Sequence, residues 1–392
     1  MNAEPAQPSP QPAQQGPQPA QQGPPPAPTL TFRGGGWVIV LAVVLMMLVL
    51  AWGLLGPLLG RRPHGDGRNL ESYQFDLSSL AIDRAALTPS GFPRAFLPSL
   101  DETEHLRGAE ILVYNERNRP KYLVTTDRVA GIVINGQAHA WPLTLLNAHE
   151  VVNDTVAGVP VVATYSPLCD SFVVFDRRIG GVARKFEVSG LLVNSNLVFC
   201  DKSAEGVAPE QHTPSLFLQL QRRAIAGPAA KDASTASLTT LPGLCITTWA
   251  DWLAAHPDTT VTLRDAPSIR RMVEISYAHY FLSPKLEFPA SPLPAADAME
   301  RAGLRLKSPL ILLRAGSRWK AIPIEPLLSK VGMDRSLTTQ LDGIGYTLHL
   351  PAGPAVARIE RSDGAAVETI PCLYFAAESV VGPLDGFDLV NP

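Results

Sequence analysis

Val38 to Leu50 is an unbroken apolar block, and no charged residue falls between Trp37 and Leu59. A helix of that composition crosses the ~30 Å hydrocarbon layer of a bilayer, with Trp37 and Trp52 near the levels where indoles favour the interface. The pattern predicts one transmembrane helix over residues 36–59. A cleaved signal peptide is the competing reading, but its apolar region spans only ~7–15 residues and follows a short basic segment. Here a long Pro/Gln-rich tail comes first. Residues 1–35 lack the large apolar side chains that offset ordering entropy, and are expected to be disordered. Residues 60–90 are polar, Gly-bearing and weakly patterned; they read as a linker, with the folded portion beginning near Phe92.

Further on, the pattern changes to short strand-like runs. Gly131 to Pro142 holds two such runs around Asn135-Gly136, a dipeptide that favours two-residue hairpins. Pro142 then opens a short helix through Leu143, Leu145 and Leu146. Val151-Val152 and Val159 to Tyr165 predict a second hairpin, with Asn153-Asp154 and Ala157-Gly158 as turn formers. Phe172 to Phe175 and Lys185 to Val188 predict a third around Gly180-Gly181. Thr248, with Asp251 three residues on, resembles a cap for a helix carrying Trp249, Trp252 and Leu253 and stopped by Pro257. Short strands joined by tight turns indicate an α+β fold, mainly antiparallel β with short helices. Leu310 to Ile324 can be laid on Gly131 to Leu143, with Gly316 on Gly136 and Pro323 on Pro142. Two related β-rich halves are therefore expected, residues 91–265 and 266–392.

With 392 residues, 46% of them hydrophobic, the chain has room for about two domains of ~150 residues and a sizeable core. The net charge of -3 comes from interspersed signs, without a Lys/Arg-dense stretch, and this argues against a nucleic-acid partner. Cys169, Cys200, Cys245 and Cys372 form no CxxC pair, which argues against a zinc ribbon or thioredoxin-like centre. Their even number permits disulfides without fixing a connectivity. Arg33 stands alone before the apolar block, whereas Arg61, Arg62 and Arg68 follow it, a distribution that favours a cytoplasmic C-terminal portion.

Candidate chemistry gathers at a helix-to-strand junction, where His149, Glu150, Asn153 and Asp154 bring an imidazole, two carboxylates and an amide together. His149, Glu150 and Asp154 are candidate acid–base residues; the alternative is turn and cap hydrogen bonding. The zincin pattern fails because Asn153 stands where a second histidine is needed. Cys169, after Tyr165-Ser166-Pro167-Leu168, is the second candidate. Paired with His149 it would serve as a thiolate nucleophile or as a metal ligand, although no oxyanion donor or orienting third residue is evident. Otherwise it is a buried structural thiol. Tyr165, Ser166, Ser189, Asn194 and Asn196 are candidate ligand-binding residues, set against a turn that satisfies its own backbone. Neither a Walker loop nor a GxGxxG is present, and Asn153-Asp154-Thr155 matches a glycosylation sequon.

At these residues the chain resembles the family catalogued as domain of unknown function 3179, found in bacteria and archaea. The resemblance rests on Ala140-Trp141-Pro142-Leu143, His149 to Val156 with Gly158 to Val161, Tyr165 to Cys169, Phe175 to Arg178, and Ser189 to Leu192 with Asn194-Ser195. Weaker likeness continues through Gln219 to Pro228, Trp249 to Pro257 and Tyr277 to Phe281. It implies an exported or membrane-attached protein, and so an extracytoplasmic C-terminal portion, opposite to the arginine count. It implies no activity. Four positions depart from the family pattern: Ser166 replaces the first cysteine of Tyr-Cys-Pro-Leu-Cys, Ala148 an aromatic, Asn196 an acidic residue and Phe217 a tryptophan. A dithiol or two-thiolate metal site is therefore not available at Ser166 and Cys169.

The resulting expectation is a membrane-anchored module that binds a small ligand or a protein partner near His149, Tyr165 and Cys169. The alternative is a metal- or thiol-dependent enzyme or redox protein using His149 and Cys169, supported by Glu150 and Asp154, with a metal ion as its cofactor. A third reading is a paralogue that retains only the fold.

Overall fold

The computed structural model describes residues 36–58, 64–101, 103–203, 211–263, 277–315, 318–350, 357–382 and 387–389, the first segment with side chains through residue 52. The tail expected at 1–35 and the half boundary expected at 265/266 lie outside them. The chain divides into two units, Met1–Arg62 and Pro63–Pro392.

The first unit contains helix α1 (Gly36–Leu58), 23 residues long, with no acidic residue in its first turn and no basic residue in its last. Its side chains from Trp37 to Trp52 are exposed. Counted over the residues whose side chains are described, which for α1 end at residue 52, no helix is long and apolar enough to cross a membrane.

The second unit is mainly antiparallel β with short helices, as the turn-rich pattern predicts. Among the described residues, five hairpins turn through two residues that both have positive φ: Asn135-Gly136, Ala157-Gly158, Gly180-Gly181, Asn194-Ser195 and Asp342-Gly343. Turns of this hand match the twist of the flanking strands. β3 (Arg128–Ile134) and β4 (Gln137–Pro142) form the first hairpin, in a sheet ordered β14 (Cys245–Thr248), β3, β4, β15 (Thr260–Leu263), β2 (Glu104–Arg107). β15 runs parallel to β4 and antiparallel to β2, placing Thr260 opposite His139 and Thr262 opposite His105. Helix α2 (Leu143–His149) follows Pro142. It leads into a three-stranded sheet of β5 (Val151–Val156), β6 (Val159–Ser166) and β7 (Ser171–Asp176). A further sheet has the order β1 (Leu87–Pro89), β10 (Phe186–Val193), β11 (Asn196–Asp201), β12 (Leu216–Leu218), β13 (Arg223–Ala226).

Three local expectations differ from the structure. The third hairpin is not formed: β7 folds back on β6, and Gly180-Gly181 joins only the short β8 (Arg178–Ile179) and β9 (Val182–Ala183). The 3-10 turn Pro167–Cys169 reverses the chain early. Phe186 instead joins Phe199 and Phe217, with ring centroids 5.5 and 5.6 Å away. Asn153 and Asp154 are not in a turn but are buried in β5. Finally, residues 64–90 pack onto the unit rather than forming a free linker. Tyr73 is fully buried, its hydroxyl donating to the Phe92 carbonyl at 2.5 Å, and β1 pairs with β10. Gly190 makes room for it: a Cβ there would lie 2.7 Å from the Tyr73 ring.

A second sheet has the order β21 (Thr369–Leu373), β16 (Pro309–Ala315), β17 (Arg318–Pro323), β22 (Phe387–Leu389). β22 is parallel to β17 as β15 is to β4. Short helices follow β4 and β17 alike, each leading to a three-stranded antiparallel sheet; the second consists of β18 (Ser336–Leu341), β19 (Ile344–His349) and β20 (Arg358–Arg361). Gly316, aligned with Gly136 from sequence, lies outside the described residues.

Thr248 caps helix α3 (Trp249–Ala255) as expected, its Oγ1 accepting from the Asp251 N–H at 3.2 Å. Trp252 of α3 lies against Gly131 of β3, where a Cβ would come within 2.5 Å of the indole. The indole is also anchored, its Nε1 donating to Thr259 Oγ1 at 2.8 Å. Gly131→Ala is expected to cost ~1–3 kcal/mol by overpacking. A lowered denaturant midpoint at constant slope would record it; an unchanged midpoint would mean that the indole yields freely.

Candidate functional site

The junction singled out from sequence is where α2 ends. Glu150 closes the helix with φ +57°, its N–H donating to the Leu146 carbonyl at 2.7 Å and its carbonyl accepting from the Tyr165 N–H at 2.8 Å. A non-glycine residue held in this conformation is uncommon and clusters at functional positions. Its side chain lines a cavity of about 340 Å³ with largely apolar walls. Phe92 and Phe96, stacked 4.7 Å apart, contribute to it together with Val188, Gly190, Leu191 and Leu192 of β10, Leu168, Tyr277, Tyr280, Glu287 and Phe288. No described side chain hydrogen-bonds the Glu150 carboxyl. Burial pushes its pKa from the usual 4.5 up to about 8, so it is mostly protonated at neutral pH. Burial, followed by the charge of Glu150, also raises the Tyr277 phenol. The Tyr280 hydroxyl donates to the Leu168 carbonyl at 2.8 Å.

Asn194 and Ser195, at the β10–β11 turn, hold the chain segment that bears Glu287 and Phe288. The Asn194 amide donates to the Ser291 carbonyl at 3.1 Å and accepts from the Ser291 N–H at 3.1 Å. Ser195 Oγ donates to the Phe288 carbonyl at 3.0 Å. Asn194 thus shapes one wall through its backbone partners.

The other sequence candidates are spent on structure. Asn196 Nδ2 donates to Gln219 Oε1 at 2.9 Å, Ser171 Oγ donates to the same oxygen at 2.7 Å, and Gln219 Nε2 reaches the Thr164 carbonyl at 2.9 Å. Ser166 Oγ accepts from the Leu197 N–H at 3.2 Å, and Ser189 Oγ donates to the Val198 carbonyl. Tyr165 donates to Asp170 Oδ1 at 2.7 Å, while Arg128 donates to Oδ2 at 2.7 Å. Cys169 is fully buried beside Ser166 and Asn196, and burial pushes its thiol up to about 12. That is the opposite of what an activated nucleophile needs. His149 donates from Nδ1 to the Pro98 carbonyl at 2.5 Å. All four cysteines are free and buried.

Asp154 has a different setting. Its Oδ1 accepts from Thr103 Oγ1 at 2.6 Å and from its neighbour's N–H, that of Thr155, at 2.7 Å, and lies 2.8 Å from His105 Nε2. Its Oδ2 accepts from Trp141 Nε1 at 3.0 Å and from Thr262 Oγ1 at 3.1 Å, with His139 Nε2 3.6 Å away. Burial opposes its ionisation, but the hydrogen bonds and charges of the two histidines outweigh it and hold the carboxyl well below the usual range. Burial pushes the fully buried His139 down, against the pull of Asp154. Among the described residues, His105, His139 and Asp154 are the group of three able to hold a metal ion, and the group includes neither His149 nor Cys169. Sequence reading found Asp154 but missed both histidines. They reach it only because β15 pairs with β4 on one side and β2 on the other, and no local signal announces that.

No curated protein and no solved structure matches the chain. The sequence profile of a family described as "Protein of unknown function (DUF3179)" matches residues 98–363. The matched segment runs from the loop before β2 to the end of β20, taking in both the Glu150 cavity's β strands and the Asp154 cluster. The chain therefore belongs to the DUF3179 family.

Proposed function

We propose that the chain is a membrane-anchored binding module whose cavity beside Glu150 takes a small, largely apolar molecule carrying one hydrogen-bond acceptor. The observation behind this is one buried carboxyl that no described side chain hydrogen-bonds, raised to about 8 and facing a largely apolar cavity of about 340 Å³. Apolar pockets of this size with a few placed polar groups suit small molecules. A protonated Glu150 donates its O–H to the acceptor without burying a charge.

Anchoring is supported by α1: its 23 residues extend ~34 Å at 1.5 Å per residue, enough for ~30 Å of hydrocarbon. The segment has no charged side chain. We place Pro63–Pro392 on the extracytoplasmic side, following the family resemblance over the arginines after the helix. The two sheets of matching order support a reading as related halves, of which the first alone carries the β8 to β13 insertion that walls the cavity. The raised Glu150 also favours a second reading, a general acid acting on the bound molecule.

The Pro63–Pro392 unit can be titrated with the neutral naphthyl-ketone dye prodan, followed by its emission. Saturable one-to-one binding is expected, weakening about tenfold between about pH 7 and about pH 9 as the donor is lost, the ~1.4 kcal/mol of one hydrogen bond. Glu150→Gln should abolish that pH dependence. Absence of saturable binding, or an identical pH profile in the variant, would overturn the reading.

A further inference from the structure

We propose that His105, His139 and Asp154 are the protein ligands of a site for a divalent transition-metal ion, separate from the Glu150 cavity. Each residue supplies one ligand atom, and the three atoms lie within 4.8 Å of one another. None of the three lines the cavity. Two imidazoles and one carboxylate form a donor set that suits zinc or ferrous iron and leaves coordination positions open for water or another molecule.

The surroundings are those of a supported site. A metal-bound carboxylate is usually itself hydrogen-bonded, and Asp154 receives Trp141 Nε1 at 3.0 Å and the Thr155 N–H at 2.7 Å. His139 Nδ1 is 2.7 Å from Thr260 Oγ1, whose hydroxyl can donate to the Ala138 carbonyl at 3.5 Å. With Nδ1 held by Thr260, His139 Nε2 faces Thr262 Oγ1 at 2.8 Å and Asp154 Oδ2 at 3.6 Å, and an ion bound here takes the place of the Thr262 hydroxyl at Nε2. The His139 and Asp154 side chains have no solvent exposure, whereas that of His105 is 26% exposed on the outermost strand β2, giving an ion a route in. Hydrogen bonding alone gives a weaker account of the cluster. His139 has Thr260 and Thr262 as partners, but a carboxylate already accepting from Trp141, Thr155, Thr103 and Thr262 does not need the His105 imidazole as well to satisfy it.

Full-length chain in detergent, stripped by a chelator, can be titrated with zinc chloride against a chromogenic competitor. One zinc per chain is expected, with a rise in the thermal midpoint. His105→Ala should lower the affinity by more than about a hundredfold, the upper end of what loss of an outer-shell partner costs. His279→Ala, at an exposed histidine elsewhere, should leave it unchanged. Cobalt substitution should give visible d–d bands that His105→Ala removes. His105 lies on an exposed edge, so matching melting curves of wild type and variant in chelator will establish that both are folded. Folded wild type without stoichiometric zinc, or equal binding by His105→Ala, would overturn the proposal.

Discussion

Replacing Glu150 by Gln is expected to remove a loss of stability on the order of 4–5 kcal/mol that the wild type suffers between about pH 4.5 and about pH 8.5. The carboxyl rises on folding from the usual 4.5 to about 8 because burial opposes its charge. A group raised in this way stabilises the fold fully only below its unfolded pKa, and the contribution is lost as the pH climbs through the folded value. The unfolded chain then ionises freely while the folded one must either keep a proton or bury a charge. Gln has nearly the same shape and no proton to lose. Urea denaturation of Pro63–Pro392 across this range should show wild-type midpoints falling with pH and variant midpoints nearly level. Parallel profiles would mean that Glu150 titrates normally, and would remove the protonated donor on which the binding proposal relies.

What could be read from sequence follows from how local each determinant is. Asn135-Gly136 and Ala157-Gly158 specify their hairpins through backbone preferences of the turn residues themselves, and both hairpins are formed. Thr248 and Asp251 specify a cap within four residues, and the cap is present. Gly180-Gly181 is an equally local signal, yet it governs only two residues on each side. The partners of β7 and β10 were set instead by the Pro167 turn and by where Phe186 could be buried. Glu150 was legible as a candidate, but its raised pKa depends on a left-handed cap that turns it toward walls from β10 and from Tyr277 to Phe288. The His105–Asp154–His139 cluster was the least legible. It needs Thr260 and Thr262, more than a hundred residues beyond His139, to insert β15 between the two histidines.

Asp154→Ala, studied in chelator, is expected to destabilise the Pro63–Pro392 unit by about 3–5 kcal/mol, the range for leaving buried charged or polar partners uncompensated. The Trp141 indole, the Thr155 N–H and the hydroxyls of Thr103 and Thr262 all lose their acceptor at once. No solvent-exposed atom of the side chain exists through which water could replace it. Asp154→Asn should lie between: its carbonyl oxygen still accepts, but its amide presents donors to a ring of donors. His105→Ala should cost far less, since that side chain is partly exposed and its loss leaves Asp154 with its other hydrogen bonds. This ranking separates the two contributions of the cluster. Stability in chelator reports the satisfied carboxylate, whereas the added stability on zinc addition reports the imidazoles. If Asp154→Ala unfolds at nearly the wild-type midpoint, the carboxylate does not organise this end of the sheet, and the convergence of β2, β4, β5 and β15 is maintained by strand pairing and apolar contacts.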